Sequence, residues 1–155
     1  IFDAAKKIPV FYTANMSIGV NLITALARQA ARALQGNFDI EIIEKHHNQK
    51  IDAPSGTALM IADEIKKELD ETPEYVYDRH SMRKKRDKNE IGLHSVRGGN
   101  IVGEHTVIFA GNDEIVEITH KAASKEIFAL GSIKAAKFLS GKSAGLYNMQ
   151  DIMNM

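Results

Sequence analysis

The run Glu44-Lys45-His46-His47-Asn48-Gln49-Lys50-Ile51-Asp52-Ala53-Pro54-Ser55-Gly56-Thr57-Ala58 is the part of this chain densest in chemistry. Imidazole titrates near neutral pH, so His46 or His47 can give or take a proton there. If the backbone stays extended, the two side chains point to opposite sides. One then faces a pocket, while the other packs or meets a different part of a ligand. Lys50 adds a cation that neutralises a carboxylate or donates a proton. Ser55-Gly56-Thr57 opens a helix, where unpaired backbone N–H groups carry partial positive charge. Gly56 lets a ligand approach the backbone, and Ser55 and Thr57 add hydroxyl donors. Such a helix start can cradle a carboxylate or phosphate. With Lys50 it can hold a dianion, so the run points to an enzyme site for a small, negatively charged substrate.

Each part also has a plainer explanation. Ser-Gly-Thr can serve only as a helix cap. A histidine pair can simply pack, and a loop lysine can be solvated. The reading rests on all three falling together.

These groups need a frame, and the flanking sequence supplies one. Pro9 to Ala14 is an apolar run with the composition of a short buried strand. Asn15 and Ser17 offer N-caps for a helix over 18–34. Ile18, Leu22, Ala25, Leu26, Ala30 and Ala33 lie on one broad face of it, and Gly36-Asn37 ends it. Residues 38–45 alternate as a strand that delivers the histidines. A second helix runs over 55–69. Three strands near 91–97, 102–110 and 114–120 are separated by Gly98-Gly99-Asn100 and Gly111-Asn112-Asp113, which reads as an antiparallel meander. A last helix covers 124–139 and Gly141 stops it.

The composition narrows the classes of function. The 155 residues suffice for one domain with a real core, and net charge is zero. No global field favours nucleic acid or an anionic membrane as partner. There is no cysteine, which excludes disulfides and thiolate metal sites and fits a reducing, cytoplasmic setting. No apolar run reaches the roughly 18 residues that span a bilayer. Residues 1–8 lack an initiator Met and read like the end of a helix already in progress, so the chain is expected to be a piece of a longer protein. The histidines at 46, 47, 94, 105 and 120 show no i, i+4 pair of the kind that marks a zinc hydrolase, so no metal is expected. The basic run 79–88 is diluted by acids and reads as a solvated segment.

Beyond this chemistry, Glu44-x-His46-His47-x-x-Lys50-x-Asp52-Ala53-Pro54-Ser55-Gly56-Thr57-Ala58 resembles the signature of bacterial dihydrodipicolinate reductase. Thr13-Ala14-Asn15-Met16-Ser17-Ile18-Gly19 is similar to the segment that joins the two domains of that family. Arg97-Gly98-Gly99, Gly103-Glu104-His105-Thr106-Val107, Glu117-Ile118-Thr119-His120 and Gly145-Leu146-Tyr147-Asn148-Met149 follow in family order.

The resemblance implies NADPH- or NADH-dependent reduction of a cyclic dicarboxylic imine on the diaminopimelate route to lysine. It implies His46 as acid/base and Lys50 as proton donor and partner for substrate charge. His47, Ser55, Gly56 and Thr57 would contact the substrate carboxylates, and Ala14, Asn15, Met16 and Lys125 would lie near the cofactor. The family usually has Arg where Lys125 stands, and Lys keeps the charge without the planar fork.

The implied fold is α+β, a mixed sheet with an antiparallel meander and helices on one face, beside remnants of a Rossmann domain. Residues 1–16 would be such a remnant, 17–121 the substrate-binding and oligomerisation domain, and 122–155 a C-terminal return. A homotetramer is implied. The family's Gly-rich pyrophosphate turn is missing from this sequence, so the chain alone is expected to be inactive. The rival expectation is a non-catalytic module that assembles subunits or binds ligand.

Overall fold

A computed structural model describes residues 1–154. In chain order the elements are α1 (Phe2–Ala5), β1 (Pro9–Phe11), α2 (Ile18–Leu34), β2 (Asp39–His46), α3 (Gly56–Lys66), β3 (Glu74–Val76), β4 (Glu90–Arg97), β5 (Gly103–Ala110), β6 (Ile115–Ala122), α4 (Glu126–Leu139), β7 (Gly145–Tyr147) and α5 (Met149–Met153). They form two compact units. One comprises Ile23–Ala123, and the other Ile1–Leu22 with the chain from Ser124 onward.

The larger unit is built on a mixed sheet of order β3-β4-β2-β5-β6. Strand β2 is central, parallel to β4 and antiparallel to β5. Its alternation buries Ile40, Ile42 and Glu44 on one face. Register adds Ile91 and Leu93 from β4 and Val107 and Phe109 from β5 to that face. Helices α2 and α3 cover it with Ile23, Ala27, Ala31, Ala58, Ile61, Ala62 and Ile65. Arg28 and Arg32 of α2 both pair with Glu68, just beyond α3, which ties the two helices across their outer side.

The α+β class and the helix-covered face hold. Membership of the antiparallel run does not follow chain order: β2 lies between β4 and β5, so the antiparallel neighbours are β2, β5 and β6. The crossover through α3 leads to β3, and β3, β4 and β2 all run parallel, as strands joined through a helix do. The Gly98-Gly99 turn therefore does not close a hairpin. It passes over the end of β2, where Gly98 N–H donates to His46 O at 3.0 Å and Asn48 N–H donates to Gly99 O at 3.2 Å.

The buried stripe of α2 also differs from the expected one. Val20, Ile23, Thr24, Ala27 and Ala31 are buried, while Leu22 and Leu26 are 49% and 43% exposed. The helix is apolar around much of its circumference, so spacing alone marks two stripes. Within the larger unit the sheet takes the one whose small residues, Ala27 and Ala31, permit close approach. Strand β1 is shorter than expected, and α3 ends at Lys66.

In the smaller unit, β1 and β7 pair in parallel, Pro9 to Phe11 against Gly145 to Tyr147. Ala135, Met149 and Ile152 are buried there against Phe11, Met16, Ile18 and Phe138. Gly131 allows α4 to sit on the backbone at Met16, since a Cβ at 131 would lie 1.8 Å from Met16 O. Asn148 and Asp151 form a reciprocal capping box that starts α5.

Candidate active site

The sheet face that carries the core turns polar at one end. Glu44 and His46 continue the inward series of β2 after Ile40 and Ile42. Register sets Arg97 opposite His46, and His105 opposite Glu44. Helix α3 then brings its start over this end, because Ser55 caps it by accepting Ala58 N–H at 3.1 Å.

Glu44 is the hub of the polar end and is fully buried. Arg97 grips both its oxygens, from Nη2 to Oε1 at 2.7 Å and from Nη1 to Oε2 at 2.9 Å. Ser55 N–H donates to Oε1 at 3.1 Å. His46 Nδ1 sits 2.5 Å from Oε2. Burial by itself pushes the Glu44 carboxyl up, but the hydrogen bonds from Arg97 and His46 outweigh it and hold the pKa at about 2. The group is therefore an anion, and a charged acceptor with charged donors makes the strong class of hydrogen bond.

His105 forms the neighbouring wall. Its Nε2 lies 3.0 Å from Ser55 Oγ, and its ring meets that of His46 edge-on with centroids 5.3 Å apart. Burial, then the charge of His46, lowers its pKa to about 4. His105 is thus neutral at pH 7.

Of the residues expected at the site, the structure joins His46 and Ser55 through Glu44. Ser55 Oγ is spent on the helix cap and on His105, so the outward donors of the cradle are backbone groups of the first turn. Gly56 is exposed, and a Cβ there would meet no protein atom within 4 Å. Thr57 is half-buried beside it, and His47 is half-buried just past β2. Lys50 Nζ donates to Asp52 Oδ1 at 2.7 Å, both on the loop that leads from β2 into α3. An internal carboxylate thus sits on the cation just ahead of the helix start.

Ala14, Asn15, Met16 and Lys125 belong to the smaller unit. There Asn15 Oδ1 accepts Ser17 N–H at 2.8 Å, and Lys125 is an exposed residue at the start of α4. Glu44, Arg97 and His105 were not picked out as site residues from the sequence. Glu44 had one legible signal, its place two residues before His46 on an alternating strand. Arg97 and His105 join through register alone.

Three of the six basic residues in the run 79–88 are paired within the chain. Arg79 pairs with Glu41 and Glu90, Arg86 with Asp39 and Glu41, and Lys84 with Asp87. Among the described residues no three His, Cys, Asp or Glu groups stand as a metal site, and no helix is long and apolar enough to cross a membrane.

A family model described as dihydrodipicolinate reductase, C-terminus, matches residues 19–153. The chain belongs to the dihydrodipicolinate reductase family. It is 58% identical over 151 residues to the 4-hydroxy-tetrahydrodipicolinate reductase of Caldanaerobacter subterraneus subsp. tengcongensis, covering 97% of this chain and 60% of that protein. The reductase of Clostridium tetani is 55% identical over 154 residues, with 99% of this chain and 60% of the relative covered. Among solved structures, a dipicolinate-bound dihydrodipicolinate reductase from Paenisporosarcina sp. TG-14 aligns with a TM-score of 0.70 and 26% identity, over 93% of this chain and 55% of that one. The chain therefore spans about 60% of the length of these curated relatives. Within the reductase family, the polar sheet end belongs to the portion covered by the matching C-terminal model.

Proposed function

We propose that this chain carries the substrate half of a reductase site for a cyclic dicarboxylic imine, on the diaminopimelate route to lysine. The observation that carries the reading is the Asp52 carboxylate, which Lys50 holds at 2.7 Å just ahead of the first turn of α3. A group that binds one carboxylate of this chain is built to bind a carboxylate of a ligand. Lys50 and the Gly56-Thr57 turn hold the substrate anion, and His47 meets it from the other side of the strand end. His46, one residue away in β2, moves the proton that completes the reduction.

Hydride comes from NADPH or NADH in the complete protein. Asn15 is engaged in starting α2, and Lys125 is a single exposed cation. These residues do not by themselves make a dinucleotide site, so the chain alone is expected to be inactive. In this reading 1–16 and 122–155 are parts of the cofactor-binding domain, and 17–121 is the substrate-binding and oligomerisation domain of a cytoplasmic homotetramer.

Calorimetry with pyridine-2,6-dicarboxylate (dipicolinate) tests the site. Weak saturable binding is expected, and Lys50→Ala should weaken it about tenfold or more, the loss of a charge-assisted hydrogen bond. An affinity unchanged by Lys50→Ala removes Lys50 from the site. Robust NADPH turnover by the chain alone would overturn its assignment as a half-site.

A second reading, an assembly module, is favoured by one observation. The sheet face away from α2 and α3 carries Ile43, Val96 and Ile108, and Val96 is 44% exposed. The two readings are compatible, because they use opposite faces of one sheet.

A further inference from the structure

Glu44 does more than neutralise Arg97. Its Oε1 faces two donors, Arg97 Nη2 and Ser55 N–H, and its Oε2 faces Arg97 Nη1 and His46 Nδ1. An ionised carboxylate only accepts hydrogen bonds, so the imidazole nitrogen it meets is the one that bears hydrogen. That leaves Nε2 as the basic nitrogen of neutral His46. The space beside Nε2 is kept by Gly103, whose Cβ, if present, would stand 3.1 Å from it.

We propose that Glu44 is a positioning residue that fixes His46 in the Nδ1–H tautomer and locks it to Ser55, so that the proton-transfer nitrogen and the anion cradle are held as one rigid unit. The proposal deepens the substrate-site reading and rests on it for the role of Nε2, though not for the tautomer itself. A carboxylate behind an imidazole selects the tautomer and orients the ring. Here the same carboxylate also holds the backbone N–H at the head of α3. Strand β2 and helix α3 therefore cannot shift independently at the site without breaking a bond to a buried charge, which is costly. Arg97 completes the unit by donating to Asp52 O at 2.6 Å, which anchors the loop that carries Lys50.

The test is nitrogen-15 NMR of the histidine-labelled chain, at a pH where His46 is neutral. The expected spectrum shows His46 with Nδ1 protonated and Nε2 bare. An Nε2–H tautomer, or a rapid mixture, overturns the proposal, and this arm needs no variant. Glu44→Gln sharpens it. Its amide NH2 meets two donors at the Oε1 position, Arg97 Nη2 and Ser55 N–H, but one at Oε2, Arg97 Nη1, so it turns to the Oε2 position, where His46 is the one available acceptor. The variant should therefore invert His46 to the Nε2–H tautomer and weaken dipicolinate binding about tenfold or more, as loss of an orienting partner commonly does. A folded Glu44→Gln chain that keeps both tautomer and affinity refutes Glu44 as the positioning group. Should the variant not fold, the wild-type tautomer decides alone. Lys50→Ala separates the two ideas: if it loses binding while the His46 tautomer is wrong, the site reading stands and this inference falls. If the tautomer is right and wild-type chain does not bind dipicolinate, the reverse holds.

Discussion

At the residue scale, one glycine separates folding from binding. Gly56 has open space around the position of a Cβ and does not need a positive φ. Ala is also the better helix former, by about 1 kcal/mol in a helix interior. Gly56→Ala should therefore leave the thermal midpoint unchanged or raise it, while dipicolinate affinity falls because the methyl stands where the ligand approaches the backbone. Paired melting and calorimetry check this, and undiminished affinity would place the ligand elsewhere. His105 sets a different, pH-dependent signature. Its folded pKa of about 4 lies below the ordinary 6.5, so the neutral folded state is favoured fully above 6.5. As pH falls from 6.5 to 4 the unfolded chain takes up a proton that the folded one refuses, and stability drops by up to about 3 kcal/mol. Urea titrations through that window should show the slope, and His105→Gln should flatten it. Glu44 acts lower: its contribution is present above 4.5 and is lost as pH falls towards 2.

At the scale of elements, the sequence showed which residues alternate and not which strands meet. The period-two pattern of β2 was readable, but which of His46 and His47 turns inward was not. Nor were the partners of β2, because local turn chemistry favours a hairpin at Gly98-Gly99, and only the sheet as a whole shows β2 inserted between β4 and β5. The α3 start was legible down to its cap, since Ser-Gly-Thr before an apolar series needs no distant information. The inward stripe of α2 was not, because two apolar stripes compete for one sheet. Packing in the smaller unit rests on a close approach at Gly131. Gly131→Ala forces a methyl into the carbonyl of Met16 and should cost about 3 kcal/mol, the upper end for overpacking. A thermal shift measurement that finds no loss would mean that α4 can slide off this contact.

For the whole molecule, the site sits on the helix-covered face of the sheet, and Ile43, Val96 and Ile108 lie on the opposite face. Sedimentation equilibrium of the chain is expected to give a species of fourfold mass. Charge placed on the outer face, as in Ile108→Lys, should dissociate it to monomers while dipicolinate affinity in the monomer stays within about threefold, since the two faces do not share residues. A monomeric wild-type chain would confine assembly to other parts of the complete protein. The basic run 79–88 has its explanation at this scale as well: Arg79 and Arg86 clip the segment onto Asp39, Glu41 and Glu90.

By itself the sequence determined the class of chemistry, an imidazole pair and a lysine beside a capped helix start, because those features depend on residue type and short spacing. The likeness of its motif to the reductase family was equally legible. What the tertiary structure decided is which groups act together. Glu44 shares β2 with His46, strand register brings Arg97 and His105 from β4 and β5, and the packing of α3 on the sheet brings Ser55. Register is a property of paired strands, set by burial of one sheet face under α2 and α3, and it leaves no local trace in the order of the residues.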